Sequence, residues 1–71
     1  METITITTEY IRLQDLMKLA DMVSSGGEAK QLIQDGRVSV NGEVCLQRGR
    51  KLRPGDVAAY GDRKCTPAYA P

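Results

Sequence analysis

The apolar positions of this chain change period twice, and each change marks a new element. Thr3-Ile4-Thr5-Ile6-Thr7 alternates β-branched residues and predicts a short strand. Leu13, Leu16, Met17 and Ala20 then recur at helical spacing, opposite Gln14, Asp15, Lys18 and Asp21. That pattern predicts an amphipathic first helix of about ten residues. Ser24-Ser25-Gly26-Gly27 interrupts it. Ser25, with Glu28 three residues on, has the form of a capping box, in which hydroxyl and carboxylate satisfy backbone donors of the first turn. Ala29, Leu32 and Ile33 supply the apolar face of a second helix, and Gly36 stands where a left-handed C-cap is expected. Helices this short are stable only when packed against something else.

A sheet is the expected partner. Val38 and Val40 alternate with Arg37 and Ser39, and Asn41-Gly42 is the strongest two-residue hairpin signal. Val44 and Leu46 return on a common face. Arg48 to Arg53 reads as a basic loop or bulged strand, Pro54-Gly55-Asp56 as a turn, and Val57-Ala58-Ala59-Tyr60 as the final strand. Asp62 to Pro71, with two prolines and no apolar period, reads as a frayed tail. The expected fold class is α+β: two short N-terminal helices on a small antiparallel sheet. One domain covers residues 1–61, and a flexible tail covers 62–71.

Composition narrows the function. The 71 residues include no Trp or Phe, so the core is small and its stability on the order of a few kcal/mol. No apolar run approaches the roughly 20 residues of a membrane span. Met1-Glu2-Thr3-Ile4 lacks the basic and apolar regions of a signal peptide, and a cytoplasmic protein is expected. Cys45 and Cys65, without a His or a CxxC, cannot assemble the four ligands of a structural zinc site, and are expected as free thiols. Without His, a general base would have to be a carboxylate or lysine, and the acids are scattered singly. Asp15 and Glu28 read as helix-surface and capping residues, and Cys45 as a small core or edge residue. No enzyme activity and no cofactor are expected.

The net charge of +1 hides an asymmetry: five acids and three bases before residue 31, four acids and seven bases after it. Arg48, Arg50, Lys51 and Arg53 place four bases in six residues, and arginine forks pair with phosphate in bidentate fashion. A solvated basic loop has the same composition. The Ser24–Gly27 turn opens a helix, whose free N–H groups suit a phosphate, and plain capping explains it equally. Lys30 is the one base on the second helix. Arg37 follows Gly36 at the helix end, where a cation also complements the dipole. Tyr10, Tyr60 and Tyr69 are scattered, with none interleaved among the bases, which disfavours single-strand stacking and favours folded RNA read by shape and backbone.

In order and spacing, Ser25, Ala29, Lys30, Leu32, Ile33, Gly36, Val38, Val40, Asn41, Gly42, Pro54, Gly55 and Asp56 resemble the small RNA-binding domain first described in ribosomal protein S-four. The likeness spans about residues 12–60 and is nearest to small stand-alone bacterial members of ribosome-associated type. It implies the alpha-L motif, a helix pair on a small sheet, with the second helix start and adjoining loop facing structured RNA, ribosomal or transfer. The RNA-facing set it implies is Ser24, Ser25, Gly26, Gly27, Lys30, Arg37, Asn41, Arg48, Arg50, Lys51 and Arg53 in a monomer partnered by RNA and the ribosome. Gly26 stands where the family usually has an arginine, which shifts weight to the 48–53 loop. Val-Asn-Gly-Glu followed by Lys-Leu-x-Pro-Gly-Asp also resembles ubiquitin-like sulfur carriers. Those act through a terminal Gly-Gly, whereas this chain ends Ala68-Tyr69-Ala70-Pro71; the alternative reading is such a carrier or a protein-interaction module without RNA binding.

Overall fold

The computed structural model describes residues 1–71. Its elements run β1 (Glu2–Ile6), β2 (Ile11–Arg12), α1 (Leu13–Leu19), α2 (Gly26–Gln34), β3 (Val38–Val40), β4 (Glu43–Val44), β5 (Lys51–Leu52), β6 (Ala58–Tyr60) and β7 (Arg63–Tyr69). Two strands therefore precede the helices. Five strands form one sheet in the order β1-β7-β6-β3-β4, and β2 and β5 form a separate antiparallel pair. The large sheet is mixed: β1 runs parallel to β7 and the other neighbours are antiparallel. The all-antiparallel expectation is corrected at that edge.

Local signals set the helix ends. Ser25 caps α2, its Oγ accepting the Glu28 N–H at 3.2 Å. The Glu28 carboxylate returns to the N–H of Ser24 rather than of Ser25, at 3.1 Å, so the box closes one residue early. At the other end Gly36 takes φ 76°, its N–H reaching the Ile33 carbonyl while that of Arg37 reaches Leu32. This is the Schellman pair of bonds. α1 stops at seven residues because Asp21 adopts φ 58° and makes the same two-bond closure, Asp21 N–H to Lys18 and Met22 N–H to Met17. The Asn41-Gly42 turn joins β3 to β4 with φ 53° and 86°, the two positive values of a type I′ turn.

The expected frayed tail is a strand. Arg63–Cys65 pair with β6, and Cys65–Tyr69 with the whole of β1. Beyond Cys65 the strand has a partner on one side only, so Pro67 removes no rung from the β6 ladder. Cys65 and Pro67 point inward and are fully buried, a period-two pattern carried by residue types that hydropathy underweights. Arg63 ties this strand to both chain-distant neighbours. Its guanidinium holds the Glu2 carboxylate at 2.7 Å and donates to the Ala20 and Asp21 carbonyls at 2.6 and 2.9 Å, closing the end of α1.

The core is one cluster filled from both helices and from β3, β5, β6 and β7, with Ile4 and Ile11 packed against it. Leu13, Leu16, Met17 and Ala20 of the first helical segment meet Ala29 and Ile33 of α2, with Val38, Val40, Leu52, Ala58 and both cysteines beneath. Cys45 and Cys65 are free thiols, both buried. Burial pushes the Cys65 thiol above its ordinary range, with the nearby Glu2 charge adding to the effect.

Candidate nucleic-acid interface

The basic segment is a fixed feature of the fold. β5 pairs with β2 through Ile11↔Leu52 and Arg12↔Lys51. Leu52 is fully buried and anchors the segment, while Arg48, Arg50, Lys51 and Arg53 are exposed around it. α1 has no side-chain cap at Arg12. Its first N–H groups, those of Leu13 and Gln14, instead donate to the carbonyls of Arg50 and Arg48 at 2.8 and 3.1 Å. The basic loop therefore serves as backbone cap of the first helix, which immobilises the main chain from which its cations project.

The far end of the segment is clamped as well. Pro54-Gly55 forms a turn with Gly55 at φ 101° and Asp56 N–H bonded to the Arg53 carbonyl at 2.9 Å, the geometry of a type II turn. The Asp56 carboxylate accepts the Arg53 N–H at 2.9 Å and the Asn41 amide at 3.0 Å. These two bonds hold its carboxyl below the usual aspartate value, and the Arg50 and Arg53 charges add to them. Asn41 in turn accepts the Val57 N–H at 2.9 Å. One amide N–H and the amide oxygen of Asn41 are thus engaged in the turn, and through them Asn41 braces the basic segment.

Charge accounting isolates the exposed cations. The chain has two ion pairs, Lys18 with Asp15 and Arg63 with Glu2. Arg12, Lys30, Arg37, Arg48, Arg50, Lys51, Arg53 and Lys64 have no carboxylate partner. Arg12 is the addition that sequence reading misses: its cross-strand pairing with Lys51 places it beside the cluster. Tyr10 is a second. Lys51 Nζ sits 4.7 Å from the centre of its ring and Arg53 Cζ 6.0 Å, so an aromatic does lie among the bases. Chain separation of about forty residues hid both; the only local signal was the run Tyr10-Ile11-Arg12, which alternates like a strand.

The α2 start is less open to an anion. Ser25 satisfies the Glu28 N–H, and the Glu28 carboxylate sits at the same end on Ser24. Gly26 and Gly27 retain the N–H groups that lack a side-chain acceptor, and a Cβ at Gly26 would meet nothing within 4 Å. Lys30 and Arg37 are exposed. Arg37 is bonded to the helix only through its backbone.

Comparison with known proteins points one way. A family model described as the S4 domain matches residues 4–66. A Bacillus subtilis (strain 168) protein named "Probable ribosome maturation protein RlbA" is 50% identical over 54 residues, 76% of this chain and 76% of that protein. A Parasynechococcus marenigrum (strain WH8102) protein named "Small ribosomal subunit protein uS4" is 43% identical over 42 residues, 59% of this chain but 21% of that protein.

Proposed function

The chain belongs to the S4 domain family, and on that premise we propose that it is a non-catalytic binder of structured RNA that works mainly through phosphate contacts. The observation that carries the reading is the backbone-clamped segment with four exposed, unpaired cations, joined by Arg12 across the strand pair. Because the main chain is already held, binding has to order only the side chains of these cations. Both similar proteins have ribosomal names, and on that ground the RNA proposed is ribosomal and the place of action the cytoplasm. No helix is long and apolar enough to cross a membrane. The helix pair takes the part of an alpha-L motif, with Gly26, Gly27, Lys30 and Arg37 as secondary contacts, Ser25 as the cap and Ser24 bonded through its N–H to Glu28. The protein acts as a monomer that occupies or delivers an RNA site.

Charge reversal tests it. Arg50→Glu with Lys51→Glu should leave the melting temperature near wild type, since the loop holds α1 by carbonyls and not by these side chains. The same variant should lose binding to ribosomal RNA fragments. Normal binding by the folded variant would show that the segment is merely solvated.

A further inference from the structure

The surface has one depression, of ≈ 330 Å³, lined by Thr8, Tyr10, Ile11, Arg12 and Asp15. Its size sits at the lower end of the roughly 300–1,000 Å³ of small-ligand pockets, which suits one nucleotide and not a paired helix. Lys51 and Arg53 lie against the Tyr10 ring without being among the lining residues, so one ring is shared by the hollow and by two cations. Thr8 Oγ1 donates to the Tyr10 carbonyl at 2.7 Å and fixes the segment that carries the ring.

The lining discriminates between ligands. A phosphate would gain the Arg12 guanidinium but would also meet the Asp15 carboxylate, whose one ion-pair partner is Lys18 at 3.5 Å, and would gain nothing from Tyr10 and Ile11. A nucleobase matches four of the five lining residues: a flat apolar body for the Tyr10 ring and Ile11, acceptor atoms for the unpaired Arg12 guanidinium, and N–H groups for Asp15. Lys51 and Arg53, in contact with the same ring, then supply cations near that nucleotide's phosphate. We infer that this hollow takes a single unpaired nucleobase of the bound RNA, making Tyr10 the residue that distinguishes an RNA with an extruded base from a continuous duplex. The inference rests on the RNA-binding reading above and names the structural feature that reading leaves open.

The test uses the full chain and two RNA hairpins that differ by one unpaired 2-aminopurine. Wild type should bind the hairpin with the unpaired base about tenfold or more tightly, the scale of one base stacked on an aromatic side chain, and should change its fluorescence. Tyr10→Ala should bring the ratio of the two affinities to about one, whatever its effect on their common level. Tyr10→Phe should keep the ratio, since the ring and not the hydroxyl makes the contact. Should Tyr10→Ala fail to fold, Arg12→Gln serves in its place, with a reduced ratio expected. Equal affinity of wild type for both hairpins overturns this inference and leaves RNA binding standing. No binding to either overturns both. Binding of free AMP or GMP as tight as that of the hairpin would make the hollow a nucleotide site and also overturn the inference.

Discussion

Asn41 gives the sharpest test of how the basic segment is held. Its side chain makes two hydrogen bonds, to Asp56 Oδ1 at 3.0 Å and from Val57 N–H at 2.9 Å, and its backbone takes φ 53°. At about 1 kcal/mol net for each bond, Asn41→Gly should cost about 2 kcal/mol, because glycine adopts the backbone freely. Asn41→Ala should cost about 3 kcal/mol, the same bonds plus about 1 kcal/mol for a left-handed alanine. For a domain this small, about 1 kcal/mol moves the melting temperature by roughly 4–8 °C. Urea and thermal unfolding followed by circular dichroism should therefore separate wild type, Asn41→Gly and Asn41→Ala in that order. Asn41→Gly and Asp56→Ala should be less than additive, because they remove one shared bond. Alanine melting with wild type, or strict additivity, would refute the clamp.

Other residues give independent checks. Cys65→Ser places a hydroxyl in a fully buried site and should cost about 1–3 kcal/mol, read from the denaturation midpoint; a silent substitution would mean that β7 is not part of the core. Asp56 titrates below its ordinary value of 3.8, so the unfolded chain takes up this proton first on acidification. Its stabilisation is complete above that value and is lost as pH falls through the folded-state pKa, and Asp56→Asn should flatten the acid limb of stability against pH. Gly26→Arg enters open space at the start of α2. It should leave the fold intact and steepen the log–log salt slope of RNA binding by about 0.7–0.9 if α2 faces phosphate; an unchanged slope would limit that helix end to capping.

What the sequence discloses and what it hides divide by chain separation. The Ser25 cap, the Gly36 closure, the Asn41-Gly42 turn and the 54–56 turn are written within four to six consecutive residues, and all form. β7 is hidden for two reasons. Pro67 reads as a breaker, and its partner β1 lies at the opposite end of the chain. Yet Gly61-Asp62, with Gly61 at φ 63°, is itself a hairpin signal between Tyr60 and Arg63. Arg63 reads as one more surface cation, although its contacts with Glu2 span 61 positions. The candidate site follows the same rule. The Arg48–Arg53 cluster is visible as a run, whereas Arg12 and Tyr10 join it only through the β2–β5 pair. Asn41 lies within a motif that resembles an RNA-facing one, and its bonds to residues fifteen and sixteen positions on, which brace the turn, are equally invisible in the local run.

The central claim is that phosphates of a structured RNA are held by the clamped cations, and the salt dependence of binding measures this directly. Affinity of the wild-type protein for a ribosomal RNA fragment should fall linearly on a log–log plot against salt. The slope should be about −0.7 to −0.9 for each phosphate neutralised, and should be lost with the binding in Arg50→Glu, Lys51→Glu. Wild-type affinity that is the same at low and high salt would contradict the account.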